Sequence, residues 1–90
     1  METRCYTVTG RVQGVGFRFT ARQTARKLEI KGWVRNNPDG SVTVLAHAER
    51  HALDALESFL QRGPYGARVD GVDVEIVENT DVGEEFHVRH

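Results

Sequence analysis

The sequence predicts an α+β fold in the order β-α-β-β-α-β, with both helices on one face of an antiparallel sheet. Three observations predict it. Two segments, about residues 17–28 and 50–62, repeat apolar residues at helical spacing along one side only. The segments around them alternate apolar and polar residues with period two, the pattern of strands with one wet face. Between the two middle strands lies Asn37-Pro38-Asp39-Gly40, too short for anything but a tight hairpin turn.

The elements follow in chain order. Residues Thr3 to Thr9 alternate and read as a strand, with Cys5 beside Tyr6 and Val8 leaving the buried face slightly ambiguous. Phe17, Ala21, Thr24, Ala25 and Leu28 form the inner side of the first helix, while Arg22, Gln23, Arg26 and Lys27 take its solvated side. Arg26 and Lys27 also complement the negative end of that helix. Lys31 to Asn36 and Ser41 to Ala48 are the hairpin strands, the second carrying Val42, Val44 and Ala46 on one face. Pro second, Asp third and Gly fourth suit a type I turn, which fixes the register of Asn36 near the end of its strand. Ala52, Leu53, Leu56, Phe59 and Leu60 stripe the second helix, and Gly63-Pro64 stops it. Val72, Val74 and Ile76 alternate with Asp73 and Glu75 in a fourth strand. A polar connection, Asn79 to Glu85, leads to a short last strand around Phe86 to Arg89. Helices gathered on one face of such a sheet make the ferredoxin-like arrangement.

Ninety residues fit one domain, residues 1–90, with ordinary hydrophobic and charged content. A net charge of −1 argues against a general polyanion binder, and a nucleic-acid partner is not expected. Exposed aromatics on the central strands, which RNA-binding sheets of this kind use, are lacking from Ser41 to Ala48. The charge is nonetheless uneven. No acidic residue lies between Gly10 and Leu28, whereas Asp70, Asp73, Glu75, Glu78, Asp81, Glu84 and Glu85 crowd the last quarter. Cys5 is the sole cysteine, which suits a reducing compartment, and it reads as a packed strand thiol rather than a nucleophile. Neither a signal-peptide core nor a run of membrane-spanning length is present, so a cytoplasmic protein is the expectation; separately, a monomer is expected.

Function concentrates in Gly10-Arg11-Val12-Gln13-Gly14-Val15-Gly16-Phe17-Arg18. Glycines allow turns that direct successive amides inward as a nest for an anion. The helix that follows adds its unpaired N–H groups and positive dipole end. Arg18 brings a planar fork able to grip two phosphate oxygens together. The stretch reads as a site for a phosphate-sized dianion; the competing reading is a Gly-rich surface loop before a helix with a solvated basic face. A Walker loop would end in Gly-Lys-Ser/Thr, and a dinucleotide fingerprint would need Gly where Phe19 stands, so neither fits. His47, His51, His87 and His90 lack the paired spacing of a metal site, and no Ser-His-Asp or Cys-His set can be assembled.

The nonapeptide resembles the phosphate-binding loop of acylphosphatases, whose signature Gly-x-Val-Gln-Gly-Val-x-Phe-Arg is present at every fixed position. Gly32-Trp33-Val34-Arg35-Asn36 matches the second motif of that family, Gly-Trp-Val-x-Asn, in the right order. The likeness spans nearly the whole chain, with two departures. Many relatives have Thr where Ala21 stands and Gly where Glu29 stands. The resemblance implies hydrolysis of acyl phosphates to a carboxylate and inorganic phosphate, without metal or cofactor. It implies phosphate ligands from Arg11, Val12, Gln13, Gly14, Val15, Gly16, Phe17 and Arg18, and catalytic roles for Arg18 and Asn36. Such a reaction needs charge stabilisation on the phosphoryl oxygens and an aligned water, which Asn36 can hold, rather than a strong acid or base. The bound phosphate itself takes the proton in this scheme. Gly16, the variable position of the motif, is expected to tolerate substitution better than Gly14. The alternative from another class is a non-catalytic module that binds acyl or carbamoyl phosphate for a partner enzyme. The signature contacts phosphate only and leaves the acyl group unidentified.

Overall fold

Alternation in the first strand has a clear structural cause. In the computed structural model, which describes residues 1–78 and 82–90, β1 (Glu2–Arg11) turns Tyr6 and Val8 into the main core. Cys5 faces the other side of the sheet, packed against a smaller cluster of Trp33, Leu45 and Val82. The ambiguity at Cys5 is thereby resolved, because this sheet has apolar contacts on both faces. Burial pushes the Cys5 thiol upward, with Glu75 adding to the shift and Arg35 opposing it. Asp81, and Asn79 and Thr80 of the expected polar connection, lie outside the described residues.

Helix α1 (Phe17–Lys27) presents Phe17, Ala21 and Ala25 to the core. It ends in a left-handed turn at Glu29, with φ 58°. The Glu29 amide bonds the Arg26 carbonyl and the Ile30 amide bonds the Ala25 carbonyl, closing the helix in a Schellman motif. Glycine would hold that position without its Cβ crowding the carbonyl, so the departure at Glu29 costs about 1 kcal/mol. Ile30 enters the core immediately afterwards and offsets some of that cost. The second departure, Ala21, is fully buried beneath the helix. It therefore bears on packing rather than on the loop.

Strands β2 (Lys31–Asn36) and β3 (Val42–Ala48) pair antiparallel, Asn36 opposite Val42. The turn between them is built as its residues suggest. Gly40 donates to the Asn37 carbonyl at 3.1 Å, and the Asp39 carboxylate accepts from the Ser41 amide at 2.9 Å and hydroxyl at 2.6 Å. Helix α2 (Arg50–Arg62) buries Ala52, Leu53, Leu56, Phe59 and Leu60 and stops at Gly63. Phe59 and Phe17 meet at 5.9 Å between ring centres, which joins the two helices over the sheet.

The sheet order is β4-β1-β3-β2-β5, with β4 spanning Arg68–Ile76 and β5 Phe86–Arg89. Four strands form the expected antiparallel arrangement. The fifth departs from it, because β5 runs parallel to β2, Val34 opposite Val88 and Arg35 opposite Arg89. The chain after β4 sets Val77 and Val82 against the open face beside Trp33. Arg35 and Arg89 lie over the Trp33 ring at 5.1 and 4.6 Å, so cations rather than a second layer cover that face. At the start of β1 the buried Arg4 is held by Glu2, Asp54 and Glu57 and by the Tyr6 hydroxyl. Burial alone would make its cation less favourable, but these partners outweigh it and raise its pKa. No helix among the described residues is long and apolar enough to cross a membrane.

Candidate active site

Strand directions decide where the site lies. β1 and β2 are both antiparallel to β3, so they point the same way, and β5 is parallel to β2. The loop after β1, Asn36 at the end of β2, and His90 after β5 therefore gather at one end of the sheet. The start of α1 opens at the same end.

The loop from Val12 to Gly16 alternates anchors and pivots. Val12 and Phe17 are buried in the core and Val15 packs partly against it, pinning the backbone at three points. Between them, Gly14 and Gly16 both take φ 76°, the left-handed region. Among the described residues, the amides of Gln13, Gly14, Val15 and Gly16 find no backbone acceptor. Gly16 is also the N-cap of α1, no side chain caps that helix, and its first turn has no acidic residue. Unpaired donors, a helix dipole and an absence of negative charge coincide there. The Gly16 carbonyl is taken up by the helix, accepting from the Thr20 amide at 3.1 Å and hydroxyl at 2.9 Å.

Three expectations are corrected in detail. Gly10 is not a pivot of the nest. It sits in β1 at a bulge, with φ 124°, and a Cβ there would stand 2.1 Å from the Arg68 carbonyl oxygen. Its smallness lets β1 approach β4. Arg11 is the last residue of β1, opposite Arg68, so it borders the loop rather than forming part of it. Gly16 shares the left-handed φ of Gly14, so substitution strains both and the expected tolerance at Gly16 has no backbone basis.

Arg18 lies in the first turn of α1, and its Nη1 is 3.5 Å from His90 Nδ1. Arg18, Phe19, Arg22, Val88 and His90 line a cavity of about 240 Å³. His90 follows the strand position opposite Arg35, which sets it beside Asn36. Nothing in the local sequence singles out His90; its placement depends on the parallel β2–β5 pairing, which local patterns do not carry. Gln13 lies in the loop, but its side chain leaves it. Nε2 donates to the Asn37 carbonyl at 2.8 Å and the Ser41 carbonyl at 3.0 Å, across to the hairpin.

Asn36 itself is half-buried, and its Oδ1 is the buried side-chain atom without a hydrogen-bond partner among the described residues. A buried polar atom left unpaired costs about 1–3 kcal/mol, which makes Asn36 an unusual residue at the end of its strand. His47 is remote from this end, bonded to the Thr3 hydroxyl at 2.7 Å. Among the described residues, no three His, Cys, Asp or Glu side chains lie close enough together to hold a metal ion.

A site of this form, with the two motifs that build it, has a match among protein families. The acylphosphatase family model matches residues 4–88. The chain belongs to the acylphosphatase family. An acylphosphatase of Nitratidesulfovibrio vulgaris is 53% identical over 72 residues, 80% of this chain and 72% of its own length. One from Salinibacter ruber is 49% identical over 82 residues, covering 91% of this chain and 86% of its own. The crystal structure of the Bacillus subtilis acylphosphatase superposes over the full length of both chains with a TM-score of 0.95 at 31% identity. Such agreement extends the acylphosphatase assignment from the two short motifs to the whole β-α-β-β-α-β framework and its added fifth strand.

Proposed function

We propose that this acylphosphatase cleaves the carboxyl–phosphate bond of acyl phosphates by in-line attack of water, with phosphate held at the Val12–Arg18 loop. The loop amides and the start of α1 receive the phosphoryl oxygens, and Arg18 pairs with two of them. Their fixed donors are worth most as charge builds on those oxygens in the transition state. Asn36 orients the attacking water through its side-chain amide. The expelled carboxylate is a good leaving group, so no acid is required, and the phosphate takes the proton released by water. Neither metal nor cofactor enters this scheme, because backbone and guanidinium supply the positive field. The same reading treats residues 1–90 as one domain acting as a cytoplasmic monomer on a small-molecule substrate, with no nucleic-acid or membrane partner.

The observation that carries this reading is the unpartnered Oδ1 of Asn36 beside a loop of unpartnered amides. Anion donors alone would support a binding module; the acylphosphatase family match over residues 4–88 adds the reason for turnover. Purified protein with benzoyl phosphate, with and without excess chelator, is the test. Equal phosphate release in both supports the proposal. Saturable binding without release would favour the binding module, and activity lost to chelator and restored by a divalent ion would end the metal-free scheme.

A further inference from the structure

Gln13 is a fixed position of the phosphate loop, yet its side chain has nothing left to offer an anion. Its amide has two N–H donors, and both are directed at carbonyls, Asn37 at 2.8 Å and Ser41 at 3.0 Å. Its remaining polar atom, Oε1, is an acceptor and would repel phosphate. The two carbonyls are not arbitrary ones. Residues 37 and 41 close the β2–β3 turn, where the Asn37 amide donates to that same Ser41 carbonyl at 2.8 Å. The Asn37 side chain then ties the turn to the Ser41 hydroxyl at 2.9 Å and the Thr43 hydroxyl at 2.7 Å. Asn36 is the residue immediately before this closed turn.

We infer that Gln13 is a positioning residue that locks the phosphate loop to the mouth of the β2–β3 turn and so sets the distance between the bound phosphate and Asn36. The inference rests on the acylphosphatase reading above. An in-line displacement needs water and phosphorus within a few tenths of an ångström of the productive geometry. Loop and hairpin come from opposite sides of the chain's first helix, and a shared core alone leaves each its own small motions. Two hydrogen bonds from a half-buried side chain to two backbone atoms leave little slack between them. Phosphate binding should then tighten the hairpin as well as the loop, although in this scheme the hairpin turn lends the phosphate no donor.

Gln13→Met keeps the length of the side chain and removes both donors. With benzoyl phosphate it should lower kcat about tenfold to a hundredfold. KM and inhibition by inorganic phosphate should stay within about twofold, because uniform binding is retained. In an Asn36→Ala background the same change should cost little further, since the residue it positions is gone. Equal cost in both backgrounds, an unchanged kcat, or phosphate inhibition weakened as much as kcat would each overturn the inference. A second measurement needs no variant: amide hydrogen exchange of the wild-type protein with and without saturating inorganic phosphate. Added protection at Asn37 and Gly40, alongside the loop amides, is the expected result; protection confined to the loop would overturn the coupling. A wild-type protein that releases no phosphate would instead remove the acylphosphatase reading, and this inference with it, a failure distinct from active enzyme with the wrong variant pattern.

Discussion

Gly10 and Gly14 stand four residues apart in one motif, and the structure gives their replacement very different costs. Gly10→Ala would set a methyl carbon 2.1 Å from the Arg68 carbonyl oxygen and 2.7 Å from the Asp70 amide nitrogen, at φ 124°. Both neighbours are backbone, so relief requires β1 and β4 to part. Strain at such a φ costs on the order of 1–3 kcal/mol, and the clash adds to it. The total should be about 3 kcal/mol or more, placing this change among severe backbone faults. Gly14→Ala meets nothing within 4 Å and pays only the left-handed penalty at φ 76°, about 1 kcal/mol. For a domain of this size each kcal/mol moves Tm by roughly 4–8 °C. Gly10→Ala should thus lower Tm by about 12–24 °C, and Gly14→Ala by about 4–8 °C. Thermal denaturation followed by circular dichroism reads both. Equal losses would refute the claim that Gly10 serves strand approach while Gly14 serves the loop.

Further outcomes are expected at other positions. Gly14 and Gly16 share φ 76° and open surroundings, so their Ala variants should agree in urea-unfolding stability to within about 0.5 kcal/mol, and Asn at either should recover part of the loss. The Ser41 hydroxyl and amide hold the Asp39 carboxyl below its ordinary 3.8. A folded pKa below the unfolded one stabilises above the unfolded value and is lost as pH falls through the folded value. Hairpin protection in wild-type hydrogen exchange should therefore fall below pH 3.8, and Asp39→Asn should flatten that fall. Burial pushes the Cys5 thiol up, so native alkylation at neutral pH should be slower than in urea and insensitive to phosphate. Protection of Cys5 by phosphate would move the site to the other face.

Sequence patterns were sufficient wherever one local rule decided the outcome. Helix α2 runs from Arg50 to Arg62 as its apolar stripe and Gly63-Pro64 stop imply. The β2–β3 hairpin closes on Asn37 and Ser41 as its turn residues imply. Other features depended on contacts between distant segments. Gly10 looks like Gly14 in the motif, and only the approach of Arg68 separates their roles. β4 begins at Arg68, ahead of the alternating residues, because it pairs with the end of β1 across a bulge. The parallel placement of β5, which brings His90 to Arg18, has no period to announce it. The loop reads from sequence as a candidate phosphate site, whereas the bonds of the Gln13 side chain depend on the hairpin beside it.

The central claim is a division of labour, Arg18 on phosphate and Asn36 on water, and inhibition constants for inorganic phosphate test it most directly. Arg18→Ala should raise KM, weaken phosphate inhibition and lower kcat on the order of 10²-fold or more, since a charged clamp is lost from ground and transition states alike. Arg18→Lys should recover little, because an ammonium lacks the two-pronged geometry. Asn36→Ala should depress kcat while leaving KM and phosphate inhibition nearly unchanged. Circular dichroism on each variant confirms that the fold survives. If Asn36→Ala weakens phosphate inhibition as much as Arg18→Ala does, Asn36 is a phosphate ligand and the account of the water is wrong.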